Sequence, residues 1–295
     1  MNRDGRGDSG KGTTRKPAWL HRGIPTDPAY ARLSALLDEG DLHTVCQEAR
    51  CPNCEECFSR GTSTFLILGD ICTRRCRFCA VTQGTPLPPD SDEPRRVAEA
   101  AARLKLDYVV VTSVTRDDLP DSGAGLFAAT IRFLRERLPG VHVEVLIPDF
   151  QGEEEPLRTV LAAQPNCLNH NIETVARLYP EVRPQSRYER SLELLNRAAS
   201  SGDAPLVKSG MMLGLGESPG EVEETLEDLL AAGCRSLTLG QYLQPNRNCL
   251  AVARYVPPEE FTQWQSKALG MGFSHVASGP FVRSSYHAGA TIPKP

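Results

Sequence analysis

Residues 63–79 read STFLILGDICTRRCRFC, a strand-sized apolar run followed at once by three closely spaced cysteines. The apolar run ends at Gly69, and Cys72, Cys76 and Cys79 follow with the spacing C-x3-C-x2-C. Three thiolates on one loop can hold three irons of a 4Fe-4S cluster and leave the fourth iron open. A structural zinc site, in contrast, normally takes four protein ligands. The stretch therefore predicts a strand that ends in a metal or cluster site.

The pattern around this stretch alternates between strands and helices. Six further strand-like runs follow it, at 107–114, 141–147, 167–172, 206–213, 236–242 and 273–277. Helical patterns, with apolar residues three and four apart, are clearest at 93–106, 126–138, 189–199, 219–232 and 258–269, and another runs from Asp27-Pro28 to about Glu39. Such alternation predicts parallel strands, in an open doubly wound sheet or a barrel. Seven strands favour a full or partial barrel, with ligand sites at the carboxyl ends of the strands.

Composition and charge narrow the class of protein. The chain has 295 residues, of which 40% are hydrophobic and 24% are charged, as in folded, water-soluble proteins. Its net charge of -4 lacks the basic bias of nucleic-acid binders. No apolar run approaches the roughly 20 residues that span a bilayer. The first residues contain no apolar signal segment, so we expect a cytoplasmic enzyme.

Cysteine is the most informative residue type. Seven of the ten cysteines lie between Cys46 and Cys79. In a reducing compartment such clustering is more typical of metal ligands than of disulfides or buried thiols. The upstream group contains both C-x4-C-x2-C and C-x2-C-x2-C, which each occur in ferredoxins. Its members are Cys46, Cys51, Cys54 and Cys57. Spacing alone does not select three ligands among these four cysteines.

The loop at 72–79 resembles the cluster-binding signature of the radical S-adenosylmethionine (SAM) superfamily, including the aromatic Phe78 before the last cysteine. The upstream segment resembles the lipoyl synthase family, through VCQEA at 45–49, CPN at 51–53, EC at 56–57 and GTSTF at 61–65. Further blocks resemble the same family: VTSV-x-RDD at 111–118, NIET at 171–174, VRP at 182–184, KSG at 208–210, GLGE at 214–217 and SGPFVRSSY at 278–286. The resemblance covers about residue 25 to the end.

This resemblance implies a fold and a division into segments. The fold is α/β, a partial (β/α) TIM-type barrel of the radical SAM kind at 63–278. A cysteine-rich extension (25–62) precedes the barrel. Before it, composition predicts a mobile N-terminal tail (1–24), whose first 17 residues are rich in Gly, Asp, Arg, Lys and Thr; the alternative is an arm that becomes ordered and closes on ligand. A short C-terminal segment (279–295) follows the barrel.

The resemblance also implies two 4Fe-4S clusters. In lipoyl synthases C-x4-C-x5-C binds an auxiliary cluster, which assigns Cys46, Cys51 and Cys57 in this sequence. The second serine of the terminal RSSY block is the fourth ligand of that cluster, which assigns Ser285 and leaves Cys54 as a spare thiol. The other cluster, on which SAM binds, takes Cys72, Cys76 and Cys79.

The implied reaction is radical sulfur insertion. An electron entering the SAM-binding cluster splits SAM into methionine and a 5′-deoxyadenosyl radical, which removes hydrogen from an unactivated carbon, and the auxiliary cluster then gives up sulfide. Two such rounds, at carbons 6 and 8 of a protein-bound octanoyl chain, consume two SAM and yield the lipoyl group. The implied partners are octanoylated carriers (the lipoyl domains of 2-oxoacid dehydrogenase E2 subunits and the glycine cleavage H protein), an electron donor such as ferredoxin or flavodoxin, and a cluster-repair protein.

Polar residues near the predicted strand ends are candidates to bind SAM. They are Thr112, Ser113, Asn171, Glu173 and Arg183, with Phe78 beside the cluster. Glu173 and Arg183 suit the charged groups of SAM through charge-assisted hydrogen bonds.

Other residues receive structural expectations. Lys208 either belongs to the site or pairs with a structural carboxylate. His170 is expected to be hydrogen-bonded rather than a metal ligand. Cys167, Cys234 and Cys249 are expected to be buried thiols.

Three alternative functions stay open. One is another radical SAM enzyme that inserts sulfur, such as a biotin synthase or a methylthiotransferase, although neither accounts for the upstream cysteines together with the terminal serines. The second is a ferredoxin-like electron carrier, which needs no barrel-sized chain. The third is a zinc-stapled interaction module.

Overall fold

The computed structural model describes residues 16–21, 28–59, 64–202, 204–286 and 288–290. Most of the predicted tail, the helix cap Asp27 and the block at 61–63 lie outside these residues. The described strands are β1 (His43–Thr44), β2 (Thr64–Ile67), β3 (Ile71–Cys72), β4 (Thr82–Gln83), β5 (Tyr108–Ser113), β6 (His142–Leu146), β7 (Cys167–Asn169), β8 (Leu206–Leu213), β9 (Ser236–Gln241) and β10 (His275–Gly279). The described α-helices are α1 (Pro28–Glu39), α2 (Val45–Glu48), α3 (Cys54–Ser59), α4 (Glu93–Arg103), α5 (Ala124–Arg137), α6 (Glu154–Ala162), α7 (Tyr179–Val182), α8 (Tyr188–Ala199), α9 (Pro219–Ala231) and α10 (Pro258–Met271).

Eight strands form one sheet in the order β1-β2-β5-β6-β7-β8-β9-β10. β1 runs antiparallel to β2, and the other neighbours in this sheet are parallel. Within the described residues β10 pairs only with β9, and β2 pairs with β1 and β5, so the barrel stays open between β2 and β10. A separate parallel pair, β3 with β4, frames the loop of Cys72, Cys76 and Cys79.

The seven predicted strands are all present, and six predicted helices correspond to α1, α4, α5, α8, α9 and α10. β8 matches its predicted range residue for residue, whereas β10 begins and ends two residues later than predicted. The short strands β1, β3 and β4 and the nine-residue helix α6 are not among the elements that the sequence predicts. They are too short for a clear hydrophobic period.

Local sequence explains the main elements. β5 reads YVVVTS and its four central residues are buried, as is usual for a parallel strand covered on both faces. α9 begins at a capping box: Ser218 accepts a hydrogen bond from the Glu221 amide, and the Glu221 carboxylate accepts one from the Ser218 amide. Pro219 follows at the first helical position, where a missing amide hydrogen costs nothing. These signals set helix and strand boundaries and thereby the positions of the loops at the barrel rim.

The helices pack outside the sheet around a continuous hydrophobic core. None of the helices in the described part of the chain is both long enough and apolar enough to cross a membrane. The barrel interior, in contrast, carries polar groups at one end, where the loops after the strands converge.

Candidate active site

One cavity of about 520 Å³ lies at the carboxyl ends of the strands. All thirteen residues that the sequence nominates as site residues line it: Cys46, Cys51, Cys57, Cys72, Cys76, Phe78, Cys79, Thr112, Ser113, Asn171, Glu173, Arg183 and Ser285. These residues come from the upstream extension, from the loop after β3, from the ends of several strands and from the segment after β10. The fold therefore brings distant parts of the sequence together in a single space.

The loop after β3 presents three thiols to this cavity. Burial, together with negative charge on Cys76 and Cys72, raises the pKa of Cys79 to about 12. Burial likewise raises the pKa of Cys76, as does charge on Cys72. Cys72 Sγ accepts hydrogen bonds from the backbone amides of Arg74 and Thr115, each at 3.4 Å. The raised pKa of Cys76 and Cys79 disfavours their thiolate forms unless a cation binds them, so the site suits a positively charged metal centre.

Arg74, in the middle of this loop, anchors it to the barrel. Its guanidinium is buried and forms a bidentate pair with Asp117, with Nε–Oδ2 at 2.6 Å and Nη2–Oδ1 at 2.8 Å. Nη2 also lies 2.5 Å from Asp149 Oδ1. Burial raises the pKa of Asp149, but the hydrogen bond and positive charge of Arg74, together with smaller contributions, outweigh burial and lower this pKa to about 2. The loop is thus tied to the segments after β5 and β6. Sequence reasoning missed this residue, because an arginine beside cysteines gives no sign that it is buried.

The upstream cysteines form a second group of thiols. Cys46 lies in α2 and Cys57 in α3, and Cys51 lies between these helices. Burial is the main cause of the raised pKa of Cys46, and charge on Cys51, Cys57 and Cys54 also raises this pKa. Of these four cysteines, all within the described residues, Cys54 does not line the cavity.

Neither group of thiols is arranged for one ion. Among the described residues, no three His, Cys, Asp or Glu side chains are close enough to hold a single metal ion. The thiols of each group nevertheless act on one another electrostatically, and both groups face one cavity.

The segment after β10 lies beside the upstream cysteines. Asn53 Nδ2 donates to the carbonyl of Phe281 at 2.6 Å. Thr64 Oγ1, at the start of β2, donates to Ser285 Oγ at 2.7 Å. The phenol of Tyr286 lies 3.1 Å from Glu56 Oε1. These contacts bring Ser285, the predicted oxygen ligand, to the same part of the cavity as the upstream thiols.

Buried polar groups line the side of the cavity next to the loop after β3. Asn171 Nδ2 donates to Glu173 Oε1 at 3.0 Å, and Arg183 Nη1 donates to the Asn171 carbonyl at 2.9 Å. Burial raises the pKa of Glu173, and the charge of Arg183 opposes that rise. Among the described residues, Ser113 Oγ and Arg183 Nε are buried without a hydrogen-bond partner. Unsatisfied buried donors beside a cavity fit a polar ligand that supplies the missing acceptors.

Several other sequence expectations are resolved here. Lys208 Nζ lies 2.9 Å from Glu144 Oε1 in the barrel interior, so Lys208 pairs with a structural carboxylate. His170 is buried, and its ring nitrogens lie 2.8 Å from Ile147 O and 2.9 Å from Ser191 Oγ. It is therefore hydrogen-bonded, as expected.

The remaining cysteines divide into two kinds. Cys167 and Cys234 are buried, as expected. The expectation that Cys249 is buried is wrong. It is partly exposed, and its Sγ lies 3.5 Å from the carbonyl of Cys79, because the loop after β9 packs against the loop after β3.

Comparison with known proteins assigns the family. A lipoyl synthase of Caldanaerobacter subterraneus is 56% identical over 276 residues, which cover 94% of this chain and 96% of that protein. A lipoyl synthase of Methylococcus capsulatus is 56% identical over 275 residues, which cover 93% of this chain and 85% of that protein. The chain belongs to the lipoyl synthase family. The family model for the N-terminal domain of lipoyl synthase matches residues 3–51, and that of the radical SAM superfamily matches residues 66–229.

Solved structures confirm the predicted fold. Methylornithine synthase superimposes with a TM-score of 0.53 at 13% identity, covering 85% of this chain and 82% of that one. Coproporphyrinogen III oxidase from Escherichia coli, a radical SAM enzyme, gives a TM-score of 0.51 at 14% identity and covers 69% and 52%. The predicted partial barrel is thus the fold of this lipoyl synthase family member. As radical SAM enzymes, lipoyl synthases use a 4Fe-4S cluster and SAM.

Proposed function

We propose that this chain inserts two sulfur atoms, at carbons 6 and 8, into an octanoyl chain bound to a carrier protein, and so makes the lipoyl group. Each round uses one SAM, and an auxiliary 4Fe-4S cluster is consumed as the sulfur source. The observation that carries the proposal is the shared cavity, since both cysteine groups and Ser285 line it. An electron carrier needs only one exposed cluster, whereas radical transfer between two reactants needs both in one space that excludes water.

The two cysteine groups take different roles in this proposal. Cys72, Cys76 and Cys79 hold the cluster that binds SAM, and Cys46, Cys51 and Cys57 with Ser285 hold the auxiliary cluster. When bound, these clusters supply the electron that cleaves SAM and the sulfur that is inserted. The protein contributes thiolates, a hydroxyl and a fixed distance between the groups. A hard oxygen ligand such as Ser285 suits a cluster that must be taken apart, because sulfur-rich iron holds it less firmly than a thiolate.

Residues next to the loop after β3 bind and orient SAM in this proposal. Glu173 and Arg183 receive its amino and carboxylate groups, since Arg183 is buried, Glu173 is half-buried beside it and both act electrostatically on Cys76. Ser113 Oγ gains the partner that it otherwise lacks. Phe78, Thr112 and Asn171 complete the contacts, although Thr112 Oγ1 already donates to the Leu146 carbonyl at 2.9 Å. Binding SAM would thus satisfy donors whose burial is otherwise costly.

The substrate is a long acyl chain on a carrier, and the cavity volume is in the usual range of about 300–1,000 Å³ for small-molecule sites. Apolar wall residues such as Val114, Leu146 and Met211 suit the hydrocarbon chain. We propose cytoplasmic carriers, namely E2 lipoyl domains and the glycine cleavage H protein. We also propose a ferredoxin or flavodoxin as electron donor and a separate protein that rebuilds the auxiliary cluster.

Anaerobic assays of matched cysteine variants test the proposal. Wild-type chain, reconstituted with iron and sulfide, is supplied with SAM, a reductant and octanoylated H protein, and 5′-deoxyadenosine and lipoyl product are measured. Cys76→Ala should form neither product. Cys51→Ala should still cleave SAM but form no lipoyl product. Cys234→Ala, a buried thiol outside the cavity, is the control and should form both.

Two outcomes would contradict the proposal. Equal SAM cleavage by Cys76→Ala and Cys51→Ala would overturn the division of roles. Wild-type chain that cleaves SAM but never forms lipoyl product would point to another radical SAM reaction.

A further inference from the structure

The segment after β10 fits into the barrel over two glycines. A Cβ atom on Gly240 of β9 would lie 2.1 Å from the backbone oxygen of Val282. One on Gly210 of β8 would lie 2.4 Å from Thr238 Oγ1 and 3.3 Å from Ser284 Oγ. Real contacts to a Cβ are longer than the first two of these distances. A side chain at Gly240 would therefore push the segment out of its place, and one at Gly210 would displace Thr238 and Asn171, which lie beside the segment. Both positions line the cavity. The barrel wall is therefore shaped to admit this segment.

Ser284 makes one of the polar contacts that hold the segment at this place, the one toward Asn171. Asn171 Nδ2 donates to Ser284 Oγ at 2.7 Å, and the Ser284 hydroxyl lies 2.9 Å from Asn171 Oδ1. A serine hydroxyl can both accept from an amide nitrogen and donate to an amide oxygen, so it can use both ends of the asparagine side chain. The same Asn171 amide also bonds Glu173 Oε1. One amide thus connects the segment to the group of residues proposed to bind SAM.

The neighbouring residue, Ser285, faces the other proposed site. Its hydroxyl accepts from Thr64 on β2, close to the upstream cysteines. A continuous chain of contacts therefore runs from Glu173 through Asn171 and Ser284 to Ser285. Its two ends belong to the two proposed cluster sites.

We propose that Ser284 is a positioning residue that couples occupancy of the SAM site to the placement of Ser285 at the auxiliary site. The inference rests on the proposed function for the identity of the two ligands. SAM that contacts Asn171 and Glu173 holds the Asn171 amide in one orientation, and that orientation holds Ser284 and the adjacent Ser285. Because coupling between two binding sites is reciprocal, an ordered Ser285 also favours SAM binding. The coupling is lost when the Ser284 hydroxyl is removed, although neither site loses a ligand.

Hydrogen–deuterium exchange of the full chain tests this coupling. The probe is the peptide that contains the amides of Val282 and Tyr286, which bond the carbonyls of Gly279 and Arg283. In the metal-free chain, this peptide should exchange about 2- to 10-fold faster in Ser284→Ala than in wild type, because one hydrogen bond is lost. In the anaerobically reconstituted chain, SAM should slow exchange of the wild-type peptide. In Ser284→Ala, SAM should slow the exchange of this peptide less than it does in wild type, by the same factor of about 2 to 10.

Two further variants separate positioning from general damage. Ser284→Thr keeps the hydroxyl and should restore both effects, because Ser284 is only half-buried and an added methyl group can point into the cavity. Ser278→Ala removes a serine on β10 whose hydroxyl donates to the Phe261 carbonyl at 2.7 Å, away from Asn171. This control should respond to SAM like the wild type.

The outcomes separate this inference from the proposed function. Ser284→Ala that matches wild type with and without SAM overturns the coupling, and so does a wild-type peptide that SAM leaves unprotected while SAM is cleaved. If wild type cleaves no SAM, the proposed function fails instead, and exchange in the metal-free chain still decides whether Ser284 holds the segment. Weaker slowing in Ser284→Ala, restored in Ser284→Thr, supports the coupling.

Discussion

Gly240→Ala tests whether the segment after β10 is seated on β9 as the structure has it. The added methyl carbon would stand 2.1 Å from the Val282 carbonyl oxygen and 3.1 Å from Arg283 Nη1. The arginine side chain can rotate away, but the carbonyl belongs to the backbone. To exceed 3.0 Å, the distance below which real Cβ contacts essentially do not occur, the backbone at Val282 has to move by about 1 Å.

This displacement should cost about 1–3 kcal/mol of unfolding free energy, the usual cost of overpacking. It should also displace Ser285, three residues further on, and so lengthen the 2.7 Å hydrogen bond between Thr64 Oγ1 and Ser285 Oγ. We therefore expect the reconstituted variant to lose the auxiliary cluster and to hold about four irons instead of about eight. SAM cleavage should persist, because Cys72, Cys76 and Cys79 lie on the loop after β3 and not on the segment that is displaced.

The matched control is Gly270→Ala in α10, where a Cβ would have no neighbour within 4 Å. Alanine at this helical position should raise the unfolding free energy by about 0.4–1 kcal/mol and leave the iron content unchanged. Urea unfolding of the metal-free chain and iron analysis of the reconstituted chain measure both quantities. Wild-type stability together with full iron in Gly240→Ala would refute the reasoning, since the segment would then not occupy this place.

Burial lowers the pKa of His170 from 6.5 to about 4, so the unfolded chain binds its proton more readily and stability is lost as the pH falls through this range. Urea unfolding should show wild type losing about 2 kcal/mol more than His170→Gln between about pH 7.5 and 5, and equal losses would contradict this. Lys208→Met should lower the unfolding free energy by about 3–5 kcal/mol, because it leaves Glu144 buried and unpaired. Adding Glu144→Gln should recover part of the loss, and a double variant as unstable as the single one would argue against the ion pair. Cys54→Ser should keep about eight irons after reconstitution and Cys57→Ser about four, whereas the reverse result would make Cys54 the ligand.

The sequence predicts the barrel well because its strands are short, apolar and rich in β-branched residues. β5, which reads YVVVTS, carries this signal most clearly, and the apolar ends of β8 (LV and MML) mark that strand around its polar centre. The sequence does not predict α6, because this helix has only nine residues and Pro156 interrupts its helical pattern of apolar residues. The two-residue strand β1 depends on its antiparallel partner β2, a contact that no local pattern records.

The candidate site likewise contains some residues that the sequence identifies and others that only the structure reveals. Spacing identifies thiols on one loop, and family resemblance adds the upstream cysteines and Ser285. Arg74 and Ser284 have roles that depend on residues more than 40 and more than 110 positions away, respectively. Nothing in the local sequence indicates that position 240 requires glycine, because the requirement comes from the backbone of Val282, which packs against it. Such contacts exist only in the folded chain, and for this reason sequence reasoning did not find them.

The contact between Asn53 and Phe281 joins residues that are 228 positions apart in the chain. At a translation rate of about 5–20 residues per second, the ribosome needs roughly 10–45 s to make the intervening chain. During this interval Cys46 and Cys51 have already been synthesised, but Ser285 has not. If Cys46, Cys51 and Cys57 with Ser285 hold an auxiliary cluster as proposed, that site is completed late in synthesis, and we expect its cluster to be delivered after the barrel strands have been made. A nascent chain that stalls before residue 281 would contain the loop of Cys72, Cys76 and Cys79 but would lack Ser285, the proposed last ligand of the auxiliary site.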